Sequence, residues 1–191
     1  MRTLEKLTIK NFKSIREQTL ALGNLNIFIG GNGAGKSNLI EVFRFLREIV
    51  GQNLAGYTAI KGDANTLLYF GRKRSPQMEF FLEFGEGGIS NSYQIVLQST
   101  NQDTLVVWEE TAFYFDKGKY SKPYAKPIVK RSSESKLMDE DHVCTRQVMS
   151  DLESYRVYHF HDTSDTAAVK GTVDLEDNRY LRPHAENLAA F

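Results

Sequence analysis

The sequence is poor in cysteine, proline and tryptophan, with one, four and one among its 191 residues. The single cysteine, Cys144, excludes an intramolecular disulfide and favours a reducing compartment. Nothing around Cys144 is typical of a nucleophile site, so we interpret it as a small packed residue. The sequence contains no run of the roughly 20 apolar residues that a membrane-spanning helix needs. Its first ten residues alternate apolar with charged side chains, unlike a signal peptide. We therefore expect a cytoplasmic protein with no membrane partner.

The sequence also lacks an excess of either charge, because 24 basic side chains face 24 acidic ones. Only a local patch could therefore attract a polyanion. Residues 117–136 form such a patch in sequence, since Glu134 is their one acid against seven basic residues: Lys117, Lys119, Lys122, Lys126, Lys130, Arg131 and Lys136. Pro123 and Pro127 predict a loop, and Tyr114, Tyr120 and Tyr124 are interleaved with it. This basic loop, Lys117–Lys136, is the candidate contact for DNA phosphates, and a mobile solvated loop is the alternative.

The first third of the chain alternates between strand and helix patterns. Near-alternation predicts a strand over residues 3–10, a turn at 11–14 and a returning strand at 18–22. The apolar run 25–29 ends at two glycines, which predicts a short buried strand. Beyond Lys36, apolar residues recur at three- and four-residue spacing, which predicts an amphipathic helix ending near Gly51: Leu39, Ile40, Val42, Phe43, Leu46, Ile49 and Val50.

The remainder of the chain is rich in β-branched and aromatic residues. Such runs at 78–84, 93–99 and 104–115, separated by turn residues, predict an antiparallel meander. Weaker patterns predict a helix over 137–152, a strand over 155–160 and the start of a helix at 187–191.

Residues 30–37 read GGNGAGKS and fit the phosphate-binding pattern G-x-x-x-x-G-K-[ST]. The glycines allow backbone amides to approach phosphate oxygens, and the helix that follows directs its positive end at the anion. Lys36 would reach the β- and γ-phosphates, and the Ser37 hydroxyl would ligate Mg²⁺. The alternative is a glycine-rich strand–helix turn with an incidental Lys-Ser. We predict that this loop binds ATP with Mg²⁺ through Gly30, Asn32, Gly33, Ala34, Gly35, Lys36, Ser37 and Asn38.

Three stretches resemble the ATPase heads of the ABC superfamily, in particular the SMC/RecF/OLD-like branch. LTIKNFKSI at 7–15 is similar to the opening strand and turn of that branch. NIFIGGNGAGKSNLIE at 26–41 resembles its phosphate loop more than that of transport ATPases. NRYLRPHAENLAAF at 178–191 is similar to a segment of bacterial AAA-type predicted ATPases without long coiled coils.

The resemblance implies an α/β P-loop core with an inserted antiparallel β lobe. It divides the chain into a nucleotide-binding core at 1–55, the lobe at 56–160 and the start of a helical subdomain at 161–191. It places Lys13 and Ser14 near the base, ribose or α-phosphate. It further implies an ATP-driven switch acting on DNA, in repair or anti-phage defence, that dimerises head to tail. The chain would be the N-terminal part of a protein about twice as long.

The hydrolytic residues of that superfamily are not evident in the sequence. LVVWEE at 105–110 imitates the expected Asp-Glu strand but comes early, which leaves Glu109 and Glu110 as weak candidates. No glutamine follows the predicted strand 155–160, so His161 or Asp162 could stand in for the family's glutamine, with Gln147 a weaker candidate. His159 and His161 would share a strand face but lack a third metal ligand. We therefore expect ATP binding without efficient hydrolysis by this chain alone.

Two other functions fit the same loop. One is a nucleotide-sensing regulatory subunit that partners an effector nuclease and does not contact DNA. The other is a phosphotransferase, in which the antiparallel lobe would have to serve as a substrate lid.

Overall fold

The computed structural model describes residues 2–158, 168–172, 174, 176–177, 179–182 and 185–188. The chain forms two compact units, Met1–Ser154 and Tyr155–Phe191. The first unit is mixed α/β. Its strands are β1 Thr3–Phe12, β2 Ile15–Ala21, β3 Gln77–Glu86, β4 Ile89–Ser99, β5 Leu105–Asp116 and β6 Tyr124–Ser132. Its helices are α1 Lys36–Val50, α2 Leu54–Lys61, α3 Asp63–Leu67 and α4 Val143–Ser154.

The strands form one antiparallel sheet of six, in the order β2-β1-β3-β4-β5-β6. β1 lies between its hairpin partner β2 and the distant β3, with Leu7 opposite Leu20 on one side and Leu82 on the other. From β3 to β6, each strand pairs with the next along the chain. The structure thus confirms the predicted antiparallel meander, and it adds the N-terminal hairpin to the same sheet.

The core lies between the sheet and α1, because both elements present apolar side chains at the expected period. Phe45 of α1 packs on Phe12 of β1 and on Phe80 of β3. The ring centroids of Phe12 and Phe80 are 5.6 Å apart, and those of Phe45 and Phe80 are 5.9 Å apart. All three rings are fully buried. Such edge-to-face pairs add to the stabilisation that burial of the rings supplies. The predicted helix is confirmed, and it ends at Val50 with Gly51 as its C-cap.

The predicted buried strand at 25–29 is wrong. These residues form no strand, and Leu25, Ile27 and Ile29 are 81%, 75% and 92% exposed. A short apolar strand is buried only when neighbouring strands cover it and pair with its backbone. Among the residues that the structure describes, every strand belongs to the antiparallel sheet, and none pairs with residues 25–29.

The prediction of a basic loop over 117–136 is also wrong in part, because residues 124–132 form the edge strand β6. A proline is tolerated at a sheet edge, which accounts for Pro127 within the strand. The helix predicted over 137–152 exists as α4, but it spans Val143–Ser154 and begins after a turn at 137–139. The strands on either side of the predicted boundary at residue 55 pair in one sheet, and the division into 1–55, 56–160 and 161–191 stays a prediction.

The second unit contains a short 3₁₀ helix, Ala168–Lys170, and a turn at residues 186–188. The buried Asn187 organises this turn: its amide donates to the carbonyls of Asp177 and Tyr180 at 2.7 Å and 3.0 Å, and it accepts from the Arg182 amide at 2.8 Å. The predicted strand at 155–160 is absent from residues 155–158, and its last two residues lie outside the described part of the chain. The helix predicted at 187–191 also falls mostly outside it.

Candidate nucleotide-binding site

The loop at residues 30–37 turns tightly into α1 through two glycines in the left-handed region. Gly33 has φ 83°, and Gly35, the residue before α1, has φ 90°. A side chain at either position would strain the backbone, so both glycines have a direct conformational cause here. Gly35 is the second fixed glycine of the pattern, whereas Gly33 occupies one of its variable positions.

The N-terminus of α1 is open to an anion. The first intrahelical bond from the Leu39 amide reaches Gly35 O at 3.0 Å, which leaves the amides of Lys36, Ser37 and Asn38 without an acceptor inside the helix. No side chain caps this end, and its first turn contains no acidic residue. The helix dipole therefore adds to the attraction that these donors exert on a phosphate.

The Lys36 side chain curls over the loop. Its ammonium donates to the carbonyl oxygens of Gly30 at 2.5 Å and Gly31 at 2.8 Å. The charge is thereby held at the mouth of the loop, beside the free amides. The exposed Ser37 hydroxyl lies next to it at the start of α1. These donors and this hydroxyl fit a polyphosphate with Mg²⁺, the ammonium and amides holding phosphate oxygens and Ser37 contributing an oxygen ligand.

The turn between β1 and β2 contacts the start of α1 through two consecutive residues. Asn38 Nδ2 donates to Ser14 Oγ at 2.7 Å, and Ser14 Oγ also lies 3.6 Å from the position that a Cβ on Gly35 would take. Lys13 instead directs its ammonium at Glu41 Oε1, 3.7 Å away. Of the two turn residues predicted near the nucleotide, the structure therefore places Ser14 against the loop and Lys13 against the helix.

Glu41 is a buried carboxylate that sequence analysis missed. It accepts a short hydrogen bond from the Tyr57 hydroxyl, and Lys61 Nζ lies 2.9 Å from it. Burial raises the pKa of Glu41, but the hydrogen bonds from Tyr57 and Lys61 and the charge of Lys13 outweigh it and lower the pKa to about 2. Burial and the bond to Glu41 raise the pKa of Tyr57. Glu41 thus stays ionised and joins the turn, α1 and α2.

A signal for Glu41 exists in the sequence. Glu41 precedes Phe45 and Ile49 at four-residue intervals, so it falls on the buried stripe of an otherwise amphipathic helix. A carboxylate in that phase needs cationic or hydrogen-bonding partners.

A groove of about 370 Å³ lies between β2 and the loop. Its lining includes Ser14, Arg16, Gln18, Phe28, Gly35 and Lys36. The groove continues from the open end of α1 along β2, so an anion held at the helix end would have room beside it for a larger attached group.

A glycine-rich loop joined to the open N-terminus of a helix is typical of a P-loop ATPase-type domain, although the described strands form an antiparallel sheet and none leads into the loop. A family model for the AAA domain matches residues 6–179, and the chain belongs to this family. The chain is therefore an AAA-type ATPase domain, a class that supports ATP binding. No curated protein matches the chain.

The two glutamates considered as hydrolytic residues, Glu109 and Glu110, instead contact residues of the sheet and of the chain that follows it. Glu110 is buried and accepts hydrogen bonds from the hydroxyls of Tyr93 and Ser135, each at 2.5 Å. It also accepts the Lys136 amide at 2.8 Å, which fixes the chain that follows β6. Glu109 lies 3.5 Å from Lys130 Nζ on the neighbouring strand. All these partners lie on β4, β6 or the chain that follows β6.

The basic residues at 117–136 are largely balanced by carboxylates. Four of their ammonium groups lie within 4 Å of an acid, in the pairs Lys119–Asp116, Lys126–Glu140, Lys130–Glu109 and Lys136–Asp139. Arg131 lies over the Trp108 ring, 4.4 Å from its centroid. All four of these acids lie outside residues 117–136, so the composition of that segment alone overstated its positive charge.

The remaining candidates are placed as follows. Gln147 lies on α4, and Cys144 is buried at the start of the same helix, where burial raises its pKa. His159, His161 and Asp162 lie outside the described residues. Within the described residues, no cluster of three metal-ligating side chains occurs, and no helix is long and apolar enough to cross a membrane.

Proposed function

We propose that this chain is the ATP-binding part of an ATP-driven switch of the SMC/RecF/OLD-like branch, with Mg²⁺ at Ser37 and DNA as its partner. The observation that carries the proposal is the hydrogen bond between Ser14 and Asn38. It joins the N-terminal turn, whose sequence resembles that branch, to the phosphate-binding end of α1. A nucleotide in the groove would contact both the turn and the loop, so its binding would change the contacts of the hairpin β1–β2.

In this proposal, ATP binding changes the assembly of protein copies, and hydrolysis of ATP is not the role of this chain. The described glutamates considered for water activation are engaged in the sheet. In the proposed mechanism, two copies meet head to tail and enclose ATP between the loop of one copy and residues of the other. The roles in DNA repair or anti-phage defence belong to the same proposal.

A second function is favoured by the balanced charges at 117–136. Because acids pair with Lys119, Lys126, Lys130 and Lys136, this segment offers less positive charge to DNA than its sequence implies. That balance favours a nucleotide-sensing subunit that regulates a nuclease without contacting DNA.

Two measurements test these proposals. The first is calorimetry of ATP with Mg²⁺ on the wild-type chain and on Lys36→Ala, with Lys130→Ala as a control for loss of a lysine elsewhere. Binding that Lys36→Ala abolishes and Lys130→Ala preserves is the expected result. Equal affinity in all three proteins would refute the site.

The second measurement is duplex DNA binding at low and moderate salt, with and without ATP. Affinity that falls steeply with salt and depends on ATP supports the switch acting on DNA. Absence of DNA binding in a chain that binds ATP normally favours the regulatory subunit. Sedimentation with and without ATP tests the dimer, which is expected only with nucleotide.

A further inference from the structure

A second cleft, separate from the phosphate loop, lies where the ends of β4, β5 and β6 meet α4. Its volume is about 570 Å³, within the range of roughly 300–1,000 Å³ that small-molecule sites occupy. Its lining combines three tyrosines, two cations and the first residues of α4: Arg2, Asn91, Tyr114, Tyr120, Lys122, Pro123, Tyr124, His142, Val143, Cys144 and Gln147. None of these described lining residues is acidic.

The floor of the cleft contains a buried polar group without a partner. Asn91 is 1% exposed, and its Nδ2 makes no hydrogen bond within the described structure. Asn91 lies directly opposite Tyr114, which lies directly opposite Tyr124, so the three share one face of the sheet. A buried amide donor left unpaired lowers the stability of the folded state. An acceptor atom of a ligand would remove that loss.

The wall of the cleft is suited to a flat ring. The Tyr124 and His142 rings are stacked, with centroids 5.8 Å apart and planes at 23°. Nδ1 of His142 accepts the Cys144 amide at 3.2 Å, which leaves Nε2 as the ring nitrogen available to a ligand. Tyr120 and Tyr124 are 56% and 53% exposed, so their faces are accessible.

The charges around the ring site match a phosphate. Arg2 and Lys122 line the cleft, and α4 begins there with its positive end. Aromatic faces for a base, an amide donor for its edge and cations for its phosphate are the groups by which proteins bind nucleotides of single strands.

We propose that this cleft binds a nucleotide, with the base stacked on the outer face of the Tyr124–His142 pair, an acceptor of the base on Asn91 Nδ2, and the phosphate near Lys122. The nucleotide is either free or an unpaired residue of a single strand, because both present the same chemistry. This site is independent of ATP binding at Lys36.

The test uses the full 191-residue chain carrying Lys36→Ala, so that binding at the phosphate loop is suppressed. Calorimetry with thymidine monophosphate measures the free nucleotide, and fluorescence anisotropy with a short labelled oligothymidylate measures the single strand. Binding of either probe supports the proposal: the monophosphate alone identifies a free nucleotide, and tighter binding of the oligomer identifies a single strand. Absence of binding by both probes overturns it.

Substitutions locate the binding in the cleft. We expect Tyr124→Ala to weaken binding by about tenfold or more, as loss of base stacking does elsewhere. Asn91→Leu should weaken binding by about fivefold while its melting temperature stays equal or rises, because the unpaired amide is removed. The control is Phe70→Ala, an exposed aromatic outside the cleft, which should bind as the parent chain does. If Asn91→Leu does not fold, Tyr124→Ala decides: wild-type affinity in that variant overturns the proposal.

Discussion

Asn38 donates a 2.7 Å hydrogen bond to Ser14 Oγ, so the second helical residue after Lys36 is tied to the turn between the first two strands. Lys13, which precedes Ser14 in that turn, directs its ammonium at Glu41. Glu41 lies one helical turn after Asn38 on α1. Two adjacent turn residues therefore contact one face of the helix whose N-terminus would hold phosphate. This relationship joins the hairpin to the candidate nucleotide site.

Ser14→Ala removes the hydroxyl that accepts from Asn38. Because both side chains are solvent-accessible, we expect a loss of unfolding free energy of no more than about 1 kcal/mol. ATP affinity should fall several-fold, since the turn no longer fixes Asn38 beside the loop. Calorimetry with ATP and Mg²⁺, together with urea unfolding, measures both effects.

A matched control for that variant is Thr8→Ala, which breaks an exposed hydroxyl pair with Thr19 on the same hairpin, 3.1 Å long. It should leave ATP affinity unchanged. If the two variants lower affinity equally, the effect belongs to the hairpin in general and not to Ser14.

Gly35→Ala tests the conformation of the loop. Gly35 has φ 90°, and an added Cβ would also approach Ser14 Oγ to 3.6 Å. A strained left-handed residue costs about 1–2 kcal/mol, which we expect as lost stability or as a rearranged loop. Binding of ATP should be lost. Gly31→Ala is the comparison, because its Cβ would meet open space and its φ is not positive, so it should bind far better than Gly35→Ala.

Glu41 predicts a pH dependence of stability. Its pKa is about 2 in the folded protein against an ordinary value of 4.5. A carboxylate with a lowered pKa stabilises the folded state above its ordinary pKa, and this contribution is lost as pH falls from about 4.5 to about 2. Glu41→Gln should be less stable than wild type by about 1–2 kcal/mol at neutral pH, because charged hydrogen bonds are lost.

The measurement is the urea midpoint of both proteins across that pH range. The difference between wild type and Glu41→Gln should shrink as pH falls. A constant difference would show that Glu41 does not titrate with a lowered pKa.

Glu134 supplies the cap that α2 lacks. Its carboxylate accepts from the amides of Leu54 and Ala55 at 2.8 Å and 3.0 Å, whereas the N-cap residue Asn53 makes no side-chain capping bond. Glu134→Ala should therefore lower the unfolding free energy by about 1–2 kcal/mol. Glu109→Ala is the control, since Glu109 is half exposed and its ion pair with Lys130, at 3.5 Å, lies in solvent. An equal loss in both variants would contradict the capping role.

The sequence predicted those elements in which the element's own hydrophobic periodicity determines which side chains are buried. The spacing of Val42, Leu46 and Ile49 predicted α1, and the aromatic runs predicted the meander. The phosphate loop was predicted because Gly35, Lys36 and Ser37 stand at fixed positions of the pattern.

The remainder depends on partners distant in sequence. The run at 25–29 has strand composition, but no described strand pairs with it, and pairing cannot be read from composition. The positive charge of 117–136 is balanced in part by Glu109 and Glu140, which only folding brings close to their lysines. Asp116 and Asp139 instead flank the segment and pair with lysines three residues away. The contacts of Glu41 and Asn91 likewise depend on which elements pack together.

The order of strands also bears on how the chain folds. The pairing of β1 with β3 places Thr3 opposite Gly85, whereas the other neighbours in the sheet follow one another directly along the chain. Closing so long a segment loses more chain entropy than closing a short hairpin turn, and it must precede the contacts it enables. Docking of the N-terminal hairpin onto a meander already formed is therefore the expected rate-limiting event, and replacing Leu7 or Leu82 by alanine should slow refolding.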